Sequence, residues 1–480
     1  MTGRRPGRTT LGGSTPTQPN PPMHTNAQLL ATPAVTSVNP CTRAKASEWK
    51  RPRPRAWLMW ILGLVNRWLL LKGLPVLRRI PIVRDLPFVH GYFWIRGIDL
   101  QAGDRTKLDR AVNAGTAAFL GPNHPEFGTD WLIDKEVSTF VAPRMASWAD
   151  RGIVAAAPGF WGMNNLIAND GGDAAKDYSI EWAIEGEGVL LHPEGIVRWT
   201  NDVVHPLFPG IVQMAMSAAA LSDKPVFIVP LVWKYRYVRD VSRRMHREMR
   251  ILEDGLGLPR LERLRVPLRF HALQLNILAR QMRHFNYEEP AASGDFFDRQ
   301  RTFQLFLIET LEQRHSIEDS PDTDKRIARL VRAIQSRLSE SKGDATPAGV
   351  ARRASLKSDL EMADEAKRLG EFAREVYGTP TLTQEQLYES LKRTRDRLLR
   401  RGWKNTIANM LPRPFGPRVV HIGVPEPILV TPVDAAQSED YETRLLTLAR
   451  TRMQEKLDEI NARIASDVQP LSHKNPFAAS

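Results

Sequence analysis

The stretch Ala117-Ala-Phe-Leu-Gly-Pro-Asn-His124-Pro-Glu-Phe-Gly-Thr-Asp130 reads as a short apolar strand running through Gly121-Pro122 into a polar turn that carries a histidine and two carboxylates. A continuous apolar run bounded by turn formers suits a strand covered on both faces, as in a parallel sheet. Pro125 suits the first turn of a helix, so His124 is expected at a strand-to-helix turn. In α/β sheets the carboxyl ends of strands are where ligands bind, because the loops there are free to vary.

The same alternation extends outward. Tyr92-Phe-Trp-Ile-Arg-Gly97 is expected as a strand and Thr106 to Ala114 as a helix. Gly188-Val-Leu-Leu-His192 and Pro225-Val-Phe-Ile-Val-Pro-Leu-Val232 read as two further buried strands. With helical segments between them, the simplest solution is an α/β fold, a mainly parallel sheet flanked by helices. Long charged helices follow, such as Arg326 to Ser341 and Gln384 to Arg400. Arg418-Val-Val-His-Ile-Gly-Val-Pro-Glu-Pro-Ile-Leu-Val430 then reads as a late strand and Glu439 to Ile464 as a last helix. If that strand returns to the sheet, the helical block is an insertion. The chain thus divides into a disordered tail (1–45), a basic tryptophan-rich region (46–85), an α/β domain (86–240), a charged helical block (241–410) and a returning strand with a final helix (411–480).

The 480 residues carry a net charge of +13, but its distribution argues against nucleic acid as a partner. Residues 1–84 hold 14 Lys and Arg against the single acid Glu48, leaving 53 basic and 53 acidic residues in the rest. Arg51, Arg53 and Arg55 precede the apolar run Ala56 to Val65, and Arg67, Lys72, Arg78, Arg79 and Arg84 follow it. That run is shorter than the roughly 20 residues needed to cross a bilayer. Tryptophans among aliphatics with flanking cations suit a helix lying in the interface of an anionic membrane. The run begins after 55 residues with no small-residue cleavage site behind it, which does not fit a secretory signal. Cys41 is the only cysteine, so neither an internal disulfide nor a cysteine-based metal site is expected.

Two motifs carry chemistry. In the first, the near-neutral pKa of a histidine suits His124 to general-base work, with a carboxylate such as Asp130 to fix its tautomer. The second, His192-Pro193-Glu194-Gly195-Ile196-Val197-Arg198, places a carboxylate between Pro and Gly at a strand end, with an arginine able to fork onto a phosphate. Their order, their separation of about 70 residues and the Val229-Pro230 strand that follows resemble the PlsC-type glycerolipid acyltransferases, the lysophosphatidate acyltransferase superfamily. The resemblance covers about Phe88 to Tyr237. It rests on Asn123, His124 and Asp130 for an Asn-His-x4-Asp motif and on Pro193, Glu194, Gly195 and Arg198 for a Pro-Glu-Gly-x-x-Arg motif.

That resemblance implies a glycerolipid acyltransferase-like fold and an O-acyltransferase of phospholipid biosynthesis at the cytoplasmic face of a membrane. The acyl donor would be a thioester, acyl-CoA or acyl carrier protein, and the acceptor a hydroxyl of a lysophospholipid or glycerol-phosphate-like molecule. No metal or other cofactor is implied. His124 and Asp130 would be catalytic; Asn123, Pro193, Glu194, Gly195 and Arg198 would bind substrate, and backbone N–H groups near the turn would meet the oxyanion. Two departures stand out. Five residues separate His124 from Asp130 in place of four, which calls for a bulge that Gly128 can supply, or for Glu126 or Asp134 in place of Asp130. The stretch Asn164 to Gly172, where the family has an acceptor-binding arginine, offers Asn169 and Asp170 and no arginine.

Two other classes fit parts of the pattern. One is a catalytically silent membrane-bound scaffold whose helical block binds a partner; the other is a metal hydrolase using His124, Asp130, His192 and Glu194. His205, His246, His271, His284 and His421 read as scattered residues without partners.

Overall fold

The computed structural model describes residues 49–478 except 75, 84–88, 90, 127, 170–171, 198, 291–293, 318–321, 400–412 and 434–436. The tail expected over 1–45, with Cys41, lies outside the described residues.

The chain enters through helix α1 (Ala56–Val65), which passes into a π-helical segment, Asn66–Lys72. Strand β1 (Ile95–Leu100), helix α2 (Ala102–Ala111), strand β2 (Ala117–Pro122) and helix α3 (Thr129–Val141) follow. Then come β3 (Ala146–Ala149), α4 (Arg151–Ala156), α5 (Pro158–Met163), β4 (Leu166–Ala168), α6 (Gly172–Ile184), β5 (Val189–Leu190), α7 (Gly210–Leu221) and β6 (Val226–Tyr237). The fold is α/β, with helices flanking a mostly parallel sheet that has eight strands among the described residues. β2 pairs in parallel with β5 and β6, β3 with β4 and β5, and β1 with the late strand Arg418–Gly423.

β2 begins and ends where the sequence places it. The first strand does not. Trp94 sits at φ 52°, a backbone conformation that breaks an extended run, so β1 starts at Ile95 and not at Tyr92. The expected helix at 106–114 starts four residues earlier and stops at Ala111.

After β6 the chain leaves the sheet for a helical block that holds, among the described residues, seven helices: α8 (Ser242–Leu256), α9 (Val266–His284), α10 (Phe296–His315), α11 (Thr323–Glu340), α12 (Pro347–Gly370), α13 (Arg374–Tyr377) and α14 (Gln384–Leu398). These helices build a core of their own, including Met249, Phe270, Phe303, Leu307, Tyr377 and Leu391. The chain then returns to the sheet, so the helical block is an insertion between β6 and the late strand. That strand is in two pieces, Arg418–Gly423 and Ile428–Val430, both antiparallel to β6. Pro425 and Pro427, which have no N–H for a ladder, interrupt it. Pro230 sits in the matching gap of β6, between the pairings Ile228↔Ile428 and Val232↔Gly423, where its missing N–H leaves no ladder bond unmade. The last helix, Ser438–Val468, packs Met453, Leu457 and Ile460 on Val232.

Candidate active site

The first motif closes into a turn because of one glycine. Gly128 adopts φ +80° as the N-cap of α3, a conformation that glycine reaches without steric cost, and it takes up the extra residue between His124 and Asp130. His124 Nδ1 and Asp130 Oδ2 are 2.9 Å apart. The same Oδ2 accepts the Glu126 N–H at 2.8 Å, and Oδ1 accepts the Tyr235 hydroxyl from β6. Both oxygens of this fully buried carboxyl therefore receive donors, which assigns the His124 proton to Nδ1 and leaves Nε2 as the acceptor. Nε2 has no hydrogen-bond partner among the described residues, and the ring keeps 18% of its surface.

Of the three candidate carboxylates, Glu126, Asp130 and Asp134, Asp130 alone orients His124. Glu126 is engaged by Arg418 Nη1 at 2.8 Å and by the Tyr388 hydroxyl, and Asp134 by His192 Nε2 at 2.9 Å. Burial, together with the neighbouring positive charge of His192, holds the His124 pKa well below its ordinary value. Burial raises that of Asp130, while His192 and the hydroxyl of Tyr235 pull it back down.

The second motif comes to the first because β5 lies beside β2 in parallel register, Leu120 opposite Leu190. His192 stacks on His124 with ring centroids 4.0 Å apart and planes 16° from parallel. Glu194 is buried and ties two loops together: Oε2 accepts the His124 N–H at 3.1 Å and Oε1 the His205 N–H at 2.9 Å. Gly195 sits at φ +72° under Phe208, whose ring would lie 2.7 Å from an added Cβ. Pro193 lies against Gly121, and its carbonyl accepts the Phe208 N–H at 2.7 Å. Arg198 lies outside the described residues. The Asn123 side chain faces the main chain of β6, accepting from Trp233 N at 2.7 Å and donating to Trp233 O at 3.2 Å. It fixes the strand end on which His124 stands. The N–H groups of Asn123, His124, Glu126 and Gly195 are all engaged within the protein, on Leu231 O, Glu194, Asp130 and His192 O. The expected oxyanion donors are therefore not these four.

Behind the dyad lies a layer of charge with no signature in the sequence. Arg418, fully buried at the start of the returning strand, pairs with Glu126, faces the Tyr235 ring at 4.6 Å and reaches Thr129 Oγ1 at 3.4 Å. Helix α14 contributes Tyr388 to the same cluster. Its start is set by a capping box in which Thr383 and Gln386 each hold the other's N–H. In its first turn Glu385 accepts the Tyr237 N–H at 2.5 Å, and one turn later Glu389 accepts the Asn201 N–H at 2.8 Å. The inserted helices thus support the back of the site. Three of the histidines expected to stand alone do not: His421 Nδ1 lies 2.7 Å from Asp99, His246 Nδ1 accepts from Arg269 at 2.9 Å, and His205 Nε2 lies 2.9 Å from Thr200 Oγ1.

In the 164–172 segment, Asn169 Oδ1 accepts the Arg151 N–H at 3.2 Å, while Asp170 lies outside the described residues. A cation reaches this segment from elsewhere. Lys135 of α3 donates to Asn164 Oδ1 at 3.2 Å, and burial lowers its pKa to about 8. The segment before the sheet packs its inner side on α3, with Gly63 against Thr139, Asn66 Nδ2 on Leu132 O and Arg67 on Glu136. Its outer side is apolar and exposed: Trp57 (61%), Trp60 (65%), Ile61, Leu64, Trp68 and Leu69, a stripe at helical spacing continued by Val76, Ile80 and Ile82. Arg53, Arg55 and Arg79 are exposed near it, whereas Arg51 pairs with Glu181 at 2.7 Å.

Among the described residues no helix is long and apolar enough to cross a membrane, and no group of three or more His, Cys, Asp or Glu is arranged to hold a metal ion. A comparison with protein-family models finds no match, and a comparison with curated proteins finds none either.

Proposed function

We propose that the chain is a membrane-surface O-acyltransferase of the PlsC type, moving an acyl group from a thioester, acyl-CoA or acyl carrier protein, to a hydroxyl of a lysolipid-like acceptor. The observation that carries this reading is the His124–Asp130 pair at 2.9 Å, standing at the carboxyl end of β2 with Nε2 open and with Glu194 of the second motif bonded to the His124 N–H. His124 Nε2 takes the acceptor's proton as its oxygen attacks the thioester carbonyl, while Asp130 holds the ring and stabilises the imidazolium that forms. Collapse of the tetrahedral intermediate breaks the C–S bond, and His124 returns the proton to the leaving thiolate. The amino end of α3, where Gly128 supplies no side-chain cap, offers N–H groups and a positive dipole end for the developing oxyanion.

Lys135 supports an acidic group on the acceptor, in a segment that lacks the family's arginine. The exposed Trp-rich stripe supports delivery of the site to the depth where acyl chains begin, because it is carried by the segment that packs on α3, the helix bearing Asp130. The test is transfer of radiolabelled acyl groups from acyl-CoA and from acyl carrier protein to a lysolipid panel in detergent, with wild type beside His124→Ala. Transfer by the wild type that falls roughly 100- to 10,000-fold in the variant is the expected result. Absence of transfer from either donor to every acceptor would favour the silent scaffold.

A further inference from the structure

His192 stands two residues past the end of β5, and both of its ring nitrogens face acceptors. Nδ1 lies 2.9 Å from the main-chain carbonyl of Asn123, an atom that can only accept. Nε2 lies 2.9 Å from Asp134 Oδ2. A neutral imidazole carries one N–H, so either tautomer would set a lone pair against an oxygen lone pair at hydrogen-bond distance. With Asp134 a carboxylate, which can only accept, the doubly protonated ring alone satisfies both contacts. This cation lies face to face with His124, ring centroid 4.0 Å away.

We infer that His192 is a fixed imidazolium, locked by Asp134 and the Asn123 carbonyl, whose charge keeps the stacked His124 unprotonated and so holds it ready as a base at neutral and mildly acid pH. His192 is a positioning residue and not a catalytic one. Its consequence for turnover rests on the proposed role of His124, but the two protonation states do not. The charged and titratable groups around the pair are Asp130 and Asp134 from α3, Glu126 from the first turn, Glu194 from the second, Tyr235 from β6 and Arg418 from the returning strand. Asp130 is bonded to His124, Glu126 is neutralised by Arg418, and Glu194 is engaged by main-chain N–H groups. Asp134 is therefore the counter-ion of His192. Burial works against the charge on His192, yet Asp134 raises its pKa to about 9.

The experiment is a pH titration of the full chain labelled with 15N in its histidine rings, the two sites being assigned with His124→Gln and His192→Gln. Both nitrogens of His192 are expected to be protonated at pH 7.5, and His124 to stay neutral to well below pH 6.5. In Asp134→Asn, His192 loses its proton near neutrality and the His124 titration moves up by about 1 to 3 pH units, the size of a unit-charge interaction at this distance. If Asp134→Asn does not fold, His192→Gln must produce the same upward movement of His124. A neutral His192 at pH 7.5 in the wild type, or His124 titrating at or above 6.5, overturns the inference. If both states are as stated and no acyl group is transferred, the inference stands and the acyltransferase reading fails.

Discussion

The site holds two imidazole–carboxylate pairs of the same length, 2.9 Å, whose acids Asp130 and Asp134 lie one turn apart on α3. Their chemistry differs because of what faces the second nitrogen. The free edge of His124 meets no described protein group, so its ring is an acceptor; that of His192 meets a carbonyl, so its ring is a cation. A histidine and an aspartate in contact do not by themselves define a base. The remaining ring nitrogen decides between a base and a fixed charge, and stacking makes the two states depend on each other.

That contrast can be broken, starting with the largest effect. Asp130→Asn should lower the rate of acyl transfer by roughly 100- to 10,000-fold near pH 8, because the amide no longer fixes the His124 tautomer or stabilises its protonated form. Asp134→Asn should instead raise the acid limb of the pH–rate profile; steady-state rates across pH separate the two. Second, the His124–Asp130 pair leans on the buried ion pair behind it, through the Glu126 N–H on Asp130. Arg418→Met leaves Glu126 buried without its cation and should cost about 3 to 5 kcal/mol of stability in urea unfolding. The reverse substitution, Glu126→Gln, also removes one partner of that ion pair and should destabilise as well.

A third and smaller effect concerns delivery to the membrane. Trp60→Ser removes an exposed indole from the outer stripe and should weaken binding to anionic vesicles by about 1.5 to 3 kcal/mol, the scale for burying one large apolar side chain. Added salt should weaken the wild type too, through Arg53, Arg55 and Arg79. The smallest effect is a slope. The pKa of His192 is higher in the folded protein, about 9, than its ordinary 6.5, so its stabilisation is complete below pH 6.5 and is lost as pH rises toward 9. The stability gap between wild type and His192→Gln should therefore shrink across that window, by no more than about 1.4 kcal/mol per pH unit for one proton.

The limits of the sequence follow from the same residues. β2, β5 and β6 were legible because each is an apolar run between turn formers. β3 and β4, Ala-Ser-Trp-Ala and Leu-Ile-Ala, are too short to stand out. His124 and Asp130 were legible from one turn, and Gly128 was recognisable as the residue able to absorb the extra position. His192 was visible only as a metal-ligand candidate, because its role depends on β5 lying beside β2. Two histidines each just past the end of an apolar strand were the available signal. Arg418 and Tyr388 act on Glu126 from 292 and 262 positions away, beyond the reach of local pattern.

The most direct test of the central claim is kcat/KM against pH for acyl transfer by the wild type and His192→Gln, with His124→Ala as the zero. The account predicts an acid limb well below pH 6.5 in the wild type, a limb displaced upward in His192→Gln, and no transfer above background in His124→Ala. An acid limb at 6.5 or higher in the wild type, or transfer that survives the loss of His124, would contradict it.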